Sequence, residues 1–170
     1  KKMNNSTVQF DAFSRVATIS GSFNPESVRI WMNTRYAKSG FCYQVAESSN
    51  IAKLMMIVDN VQYPEFETYW KRFLSENKKH INILELKDLR HTVGLVKQIK
   101  IENIYFAGNA AGLIDTFFGF GSVKAIQSGA AAAHCMLTGT DYNEFMKGII
   151  RNVQQKYEFR KGLNQMDNQS

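Results

Sequence analysis

Cysteine, proline and long hydrophobic runs are all scarce in this 170-residue sequence. Its 2 cysteines, Cys42 and Cys135, form at most one bridge, which excludes a disulfide-stapled scaffold and makes a reducing cytoplasm the expected compartment. The 2 prolines and 11 glycines exclude a proline-rich or collagen-like chain. The most apolar stretch, residues 130–137, is too short to span a bilayer, and no signal peptide is predicted. What remains is an ordinary globular composition, 44% hydrophobic and 21% charged.

Positive charge is concentrated in the first hundred residues. Residues 1–100 hold 15 basic and 9 acidic side chains, whereas residues 101–170 hold 6 of each. This surplus favours an anionic partner such as a phosphorylated ligand or a lipid surface, although scattered lysines on a solvated surface are the simpler interpretation. No basic run is interleaved with aromatic residues as in nucleic-acid-binding motifs, so no nucleic-acid partner is expected.

The first half of the sequence predicts a sheet with one helix. In residues 28–33 the aliphatic Val28, Ile30 and Met32 alternate with Arg29, Trp31 and Asn33, as in a strand with two different faces. Together with residues 41–46 and 51–58 they predict an antiparallel meander, because turn-forming residues separate the three segments. Pro64 opens a helix whose aromatic residues recur at helical spacing. Two further short strands are predicted at residues 15–20 and 81–86.

The second half predicts a strand, a glycine-rich loop and two helices. A strand over residues 101–107 leads into the loop of residues 108–121. Small residues dominate the predicted helix over residues 122–137. Asp141 is the expected cap of the last helix, and Glu144 stands three residues further on, as in a capping box.

The loop of residues 108–121 has the features of a ligand-binding element. Gly108 allows the backbone to turn sharply at the carboxyl end of a strand, where open α/β sheets bind ligands. Gly119 and Gly121 precede a long helix, whose N-terminus presents N–H groups and a partial positive charge. These features predict a pocket for phosphates, hydroxyls or an electron-rich carbonyl. The loop is neither a P-loop nor a first dinucleotide fingerprint, since Lys124 stands where a third small residue is required.

The loop and the helix after it resemble the second FAD-binding motif of flavoprotein oxidoreductases, G-D-A-A-G-x-x-x-P-x-x-G-x-G. The similarity is to the superfamily of para-hydroxybenzoate hydroxylase, flavin-dependent halogenases and geranylgeranyl reductases. Two positions depart from it, because Asn109 replaces the Asp that accepts a hydrogen bond from the ribityl chain, and Thr116 replaces the Pro. The matched residues are Gly108, Ala110, Ala111, Gly112, Gly119, Gly121, Gly129, Ala131 and Ala132.

The resemblance implies that the loop and the first helical turn bind FAD. In such flavoproteins the helix N-terminus points at the N1–C2 edge of the flavin and stabilises its anionic reduced form. A fainter resemblance, to the Y-x-W-x-F-P strand of geranylgeranyl reductases, implies that Phe41 and Tyr43 line a substrate pocket, and a plain core strand is the alternative. The implied cofactor-binding residues are Gly108, Asn109, Ala110, Gly112, Gly119, Phe120, Gly121, Ser122 and Val123.

The resemblance also implies an α/β (α+β) fold in two parts. Residues 1–100 would be an antiparallel substrate-binding (cap) sheet with one helix, and residues 101–170 the C-terminal half of a Rossmann-like FAD-binding domain. The G-x-G-x-x-G half that holds the ADP part of FAD is absent from this sequence. Because the sequence starts Lys1-Lys2-Met3, we expect a piece of a longer protein, and one that does not retain FAD alone.

The implied function is that of an FAD-dependent reductase or monooxygenase. It would act in full length on a small apolar or aromatic substrate, with NAD(P)H or ferredoxin as electron donor. Two alternatives stay open, a diverged non-catalytic interaction module with a flavin fold and a basic domain that binds anions or a lipid surface. The expected location is cytoplasmic, with peripheral membrane contact as an option.

No catalytic acid or base is predicted. Asp115 is expected to be solvated or to cap a helix, and His134 to be a packed core histidine. The three histidines and two cysteines lack metal-ligand spacing, so no metal site is expected.

Overall fold

The computed structural model describes residues 5–77, 81–116 and 119–166. Within them the chain forms helices and strands in a mixed order. The helices are α1 (Thr34–Ala37), α2 (Tyr63–Asn77), α3 (Ser122–Thr138) and α4 (Tyr142–Leu163), and a 3₁₀ turn spans Gly108–Ala111. The strands are β1 (Ser6–Ser20), β2 (Val28–Trp31), β3 (Gly40–Ala46), β4 (Ile51–Asp59), β5 (Asn82–Val96), β6 (Lys100–Ile101) and β7 (Ile104–Tyr105).

Five of the strands form one sheet, in the order β2-β3-β4-β1-β5. Strands β2, β3 and β4 pair antiparallel in chain order, which confirms the predicted meander. Strand β1 also pairs antiparallel with β4, with Ala12 opposite Asp59 and Ser20 opposite Ile51. The predicted combination of a mostly antiparallel sheet with helices is therefore present.

The chain folds into two compact units. One unit comprises Asp11–His91 with the described residues after Leu163, and the other comprises Thr92–Leu163 with the described residues before Asp11. The chain passes from one unit to the other within β1 and again within β5. These boundaries differ from residues 1–100 and 101–170, and the roles assigned to those two parts stay predictions.

The core of the Asp11–His91 unit lies between its sheet and α2. Pro64 is the second residue of α2, where its missing N–H costs little, as the sequence predicts. Four aromatic side chains of α2, Phe66, Tyr69, Trp70 and Phe73, are buried against the sheet. Their spacing places them on one side of the helix, which therefore covers one face of the sheet.

The core of the Thr92–Leu163 unit lies between α3 and α4. Small buried residues of α3, including Ala131 and Ala132, allow Tyr142 and Met146 of α4 to pack closely. The predicted cap of α4 is confirmed, because Asp141 Oδ1 accepts hydrogen bonds from the N–H groups of Asn143 at 2.7 Å and Glu144 at 3.2 Å. The Glu144 carboxylate pairs with Lys147 on the helix surface.

One local prediction was wrong, one strand was predicted too short, and one helix was missed. The single strand predicted over residues 101–107 is a hairpin of β6 and β7, with a turn at which Glu102 has a φ of +51°. The strand predicted over residues 81–86 is present as the start of β5, which is much longer and whose residues 82–90 are exposed. The sequence analysis did not predict the short helix α1, although Asn33 caps it by accepting a hydrogen bond from the Arg35 N–H.

None of the helices in the described part of the chain combines the length and apolarity that crossing a membrane requires.

A buried arginine connects β1 with β5 and α2. The Arg15 guanidinium donates 2.6 Å hydrogen bonds to both carboxylate oxygens of Asp88 and a further one to Glu67. It lies 5.3 Å from the ring centre of Phe66 and 5.5 Å from that of Trp70. Hydrogen bonding to Arg15 holds the pKa of both carboxyl groups below their ordinary values.

These carboxylates predict a loss of stability in acid. Because their pKa values are lowered on folding, the stabilisation is complete above the ordinary values of 3.8 for Asp88 and 4.5 for Glu67 and is lost as the pH falls through the lowered ones. Asp88→Asn should lower the free energy of unfolding by about 2 kcal/mol at pH 7, because Arg15 stays buried but loses one of its charged partners. The loss is moderate because Asp88 itself is partly exposed. Urea unfolding at pH 7 and near pH 3 measures the difference, which should be smaller at the lower pH.

The control is Glu85→Gln on the same strand, because Glu85 is solvent-exposed and pairs with the exposed Lys87. It should change stability little at either pH. An Asp88→Asn effect of equal size at both pH values would contradict the assignment.

Candidate functional site

The glycine-rich loop begins with a sharp backbone turn. Gly108 has a φ of +53°, and a Cβ there would lie 3.1 Å from the Cβ of Ala125 on α3. Gly112 has a φ of +65°, and a Cβ there would lie only 2.7 Å from the carbonyl oxygen of Gly94 on β5. Both positions require glycine, because each combines a left-handed conformation with the close approach of a neighbouring element.

An open groove of about 650 Å³ lies between this loop and the start of α3. None of the described residues that line it carries a charge. Its polar groups are the Asn109 amide, the Ser122 hydroxyl and the N–H groups at the N-terminus of α3, which no side chain caps at Gly121. Six of the predicted cofactor-binding residues line the groove: Gly108, Asn109, Ala110, Gly119, Gly121 and Ser122.

Gly121 keeps the groove open at the start of α3. A Cβ at this position would lie 3.2 Å from Asn109 Oδ1 and 3.2 Å from Ile114 Cγ1. Any side chain here would therefore press on the Asn109 amide or project into the groove. The absence of a side chain at Gly121 leaves space for a flat ligand beside the helix N-terminus.

The remaining predicted cofactor residues lie elsewhere on the loop. Gly112 lines a separate cavity on the other side of the loop. Phe120 and Val123 have side chains that are 60% and 68% exposed and do not line the groove. Their cofactor contact stays a prediction.

Two side chains that the sequence analysis missed, one on α3 and one on α4, hold the loop and the strand before it in place. The Ser128 hydroxyl, which is fully buried, accepts a 2.9 Å hydrogen bond from the Gly108 N–H and lies 2.7 Å from the Lys124 carbonyl oxygen. The Tyr142 hydroxyl donates to the Phe106 carbonyl at 2.9 Å. The available signal was Ser128, a polar residue in the buried stripe of a helix of small residues, because a buried hydroxyl group requires a hydrogen-bond partner.

Asp115 fixes the far end of the loop, and the expectation that it is solvated or caps a helix was wrong. Its side chain is buried and forms an ion pair with Lys156 of α4. A second lysine, Lys124 of α3, lies 3.7 Å from the same carboxylate. Its backbone closes the loop, because its N–H donates to the Phe120 carbonyl at 2.8 Å and its carbonyl accepts from the Gly119 N–H at 2.7 Å. The carboxylate thus holds the loop to both helices.

Thr116 occupies the position of the motif's proline. It is buried, and its hydroxyl has no hydrogen-bond partner among the described residues. A threonine here leaves the loop without the fixed φ of a proline. The ion pairs of Asp115 and the Ser128 hydrogen bond supply restraint at the loop instead.

Phe41 and Tyr43 lie together on one face of the sheet. Residues 41 and 43 alternate with the buried Cys42, which packs towards α2, so they belong to the opposite face. Their rings stack with centroids 6.0 Å apart. Phe41 is buried, Tyr43 is half-buried, and burial raises the pKa of the Tyr43 hydroxyl.

This sheet face carries exposed apolar side chains, and Lys53 lies on it opposite Val45. Ile30 pairs with Tyr43, and Val28 pairs with Val45, so these residues project to the same face. Val28 is 61% exposed and Ile30 is 50% exposed. An aromatic pair beside exposed aliphatic groups forms a surface suited to an apolar ligand.

His134 is exposed, so the expectation of a packed core histidine was wrong. Its ring centre lies 5.3 Å from that of Phe145 on α4. It does not line the groove.

Solved flavoproteins share this fold. A geranylgeranyl bacteriochlorophyll reductase-like protein from Thermoplasma acidophilum aligns with 98% of this chain at 16% identity and a TM-score of 0.77. This chain has the fold of part of a geranylgeranyl reductase-like flavoprotein. It covers 46% of the Thermoplasma protein, and the predicted resemblance is confirmed at the level of the fold.

Two further structures extend the likeness. A flavoprotein/dehydrogenase from Cytophaga hutchinsonii aligns with 91% of this chain at 12% identity and a TM-score of 0.68, and 42% of that protein is covered. The flavin-dependent halogenase CmlS aligns with 92% of this chain at 13% identity and a TM-score of 0.61, and 32% of it is covered. The chain thus spans less than half of each of these proteins. No protein-family model matches the chain.

Ser128 offers a direct test of how the loop is held. Ser128→Ala leaves the buried Gly108 N–H without its acceptor, which should lower the free energy of unfolding by about 1–3 kcal/mol. Urea denaturation measures this loss. Gln127→Ala, one residue earlier and exposed on α3, is the control and should be near neutral. Equal stability of Ser128→Ala and wild type would show that the hydrogen bond does not hold the loop.

Proposed function

We propose that the groove between the glycine-rich loop and α3 binds the flavin part of FAD, within an FAD-dependent oxidoreductase. The observation that carries the proposal is the uncharged groove at the N-terminus of α3, to which Gly121 adds no side chain. The FAD motif matched along the loop and the flavoprotein fold support it. The reaction class is a reduction or a monooxygenation.

The residues of the groove fit the chemistry of a flavin. The N–H groups at Ser122 and Val123 and the helix dipole would stabilise negative charge on the N1–C2 edge of a reduced ring. The Asn109 amide oxygen would accept a hydrogen bond from a ribityl hydroxyl. Bound FAD would supply the hydride or oxygen chemistry, and the chain would supply orientation and a polar contact at one edge.

FAD retention requires polypeptide beyond this chain. The sequence carries one of the two glycine-rich elements of such proteins, and the ADP half of the cofactor has no G-x-G-x-x-G element here. An exposed apolar face of α3 supports this proposal, because further polypeptide could pack on it. Its residues Val123, Ile126 and Leu137 are 68%, 75% and 87% exposed. The chain alone is therefore expected to be inactive.

The substrate would be a small apolar or aromatic molecule. The stacked Phe41 and Tyr43 rings and the exposed Val28 and Ile30 supply an apolar surface without a charged group of their own. NAD(P)H and ferredoxin both remain candidate electron donors.

The alternatives predict different results for the full-length protein. A diverged flavin fold that only binds partners would purify colourless, which Asn109 and Thr116 in place of Asp and Pro would favour. A basic lipid-surface domain would bind anionic vesicles in a salt-dependent way. Its support is the segment of residues 27–46, which has three basic and no acidic residues and exposes Val28, Ile30 and Met32.

Gly121→Val in the full-length protein tests the placement of the flavin. The added side chain would crowd the groove beside Asn109 and should reduce bound flavin by about tenfold or more. The flavin-to-protein absorbance ratio after desalting is the measurement. Gly148→Val is the matched control, because a Cβ at Gly148 meets nothing within 4 Å. Full flavin occupancy in Gly121→Val would overturn the placement.

Asn109→Asp tests the proposed ribityl contact. A carboxylate is a stronger acceptor than an amide, so flavin affinity should rise by about fivefold, or about 1 kcal/mol. Equilibrium titration of the flavin-stripped full-length protein with FAD measures it. Asn103→Asp, which makes the same change in the β6–β7 turn, should leave the affinity unchanged. Weaker flavin binding by Asn109→Asp would exclude a hydroxyl donor at this position.

A further inference from the structure

A second cavity, of about 310 Å³, lies on the other side of the glycine-rich loop. It is formed by the end of β5, residues 97–100, the loop and α4. None of the described residues lines both this cavity and the groove. The loop separates them, with Gly108, Asn109 and Ala110 on the groove side and Gly112 and Leu113 on the cavity side.

The cavity has an apolar floor. Ile99, Ala111, Leu113 and Val153 line it and are all buried, between 1% and 4% exposed. No aromatic residue occurs among the described residues that line it, so a flat ring would find no stacking partner. A flexible hydrocarbon chain suits such a floor better than a nucleobase or a flavin.

The rim of the cavity is cationic and polar. Lys97 and Lys100 line it together with the amides of Gln98, Asn143 and Gln154, and no acidic residue occurs among the described lining residues. Lys100 Nζ also lies 4.7 Å from the ring centre of Tyr105, its cross-strand partner on β7. The charge of the rim is therefore complementary to an anionic group.

Hydrogen bonds to Asn5 and Phe106 fix the segment of residues 97–99 beside the cavity. The Asn5 side chain donates to the Gln98 carbonyl at 2.7 Å and accepts from the Gln98 N–H at 3.1 Å, and the Lys97 N–H donates to the Asn5 carbonyl at 2.7 Å. The Phe106 N–H donates to the Ile99 carbonyl at 2.8 Å. The segment beside the cavity is thus fixed without a ligand, which lowers the entropic cost of binding.

We propose that this cavity binds a medium-chain carboxylate, with the hydrocarbon chain on the apolar floor and the carboxylate between Lys97 and Lys100. The volume is at the lower end of the range of about 300–1,000 Å³ for small-molecule sites, which favours a small ligand over a dinucleotide. The apolar floor and the cationic rim each account for one end of such a molecule. This inference is independent of the flavin groove.

A chain-length series tests both ends of the ligand. Isothermal titration of this chain with butanoate, hexanoate and octanoate at low salt should show binding that tightens by about tenfold for each added pair of methylene groups. Octan-1-ol has the same chain without the charge and should bind about tenfold more weakly than octanoate. Affinity that does not depend on chain length, or equal affinity for the alcohol, would overturn the proposal.

Two pairs of variants locate the site. Gln154→Glu places a carboxylate on the rim and should weaken octanoate binding by about fivefold or more, whereas Gln155→Glu makes the same change on the same exposed helix away from the cavity and should not. Lys97→Met with Lys100→Met should weaken it by about tenfold, and Lys147→Met should not. Circular dichroism checks that each variant is folded.

Equal weakening by Gln154→Glu and Gln155→Glu would show that octanoate binds elsewhere and would overturn the proposal. So would unchanged binding in the double lysine variant.

Discussion

The hydrogen bond from the Gly108 N–H to the buried Ser128 hydroxyl is the contact on which the candidate site depends. It sets the start of the glycine-rich loop against the second turn of α3, and Tyr142 adds a second tie at Phe106. The groove is the space that this attachment leaves at the first turn of the same helix. A displaced loop would lose the groove even with every glycine in place, so the site is a property of the packing between loop and helix.

Charge acts at the opposite end of the loop. Asp115 carries one negative charge into a buried position, and two lysines from different helices approach it. Removing one partner of a buried ion pair lowers stability by more than the pair itself contributes, because the remaining charge is left buried without a partner. The loop is thus held at one end by a neutral hydrogen bond and at the other by ions, although the motif's proline is missing.

The parts of the fold that the sequence predicts well are those with a local chemical cause. The meander follows from alternation and turn residues, α2 from Pro64 and its aromatic spacing, and α4 from the cap at Asp141. The sequence analysis missed contacts between residues that are far apart in the chain. Asp115 looked solvated because its partner Lys156 is 41 residues away in the chain. Ser128 was hidden among alanines, since only its partner shows why a hydroxyl is there.

The glycines of the loop are retained for different reasons, and this affects how the motif would change over evolutionary time. Gly112 is required by the β5 backbone, which leaves no room for a side chain whether or not a cofactor binds. A Cβ at Gly121 would press at 3.2 Å only on side-chain atoms of Asn109 and Ile114, which can move, so the fold requires glycine there less strictly. A lineage that abandoned the cofactor would still inherit Gly112 but would be released to vary at Gly121. The residue found at position 121 in descendants of this chain is therefore a better record of cofactor use than the glycine pattern as a whole.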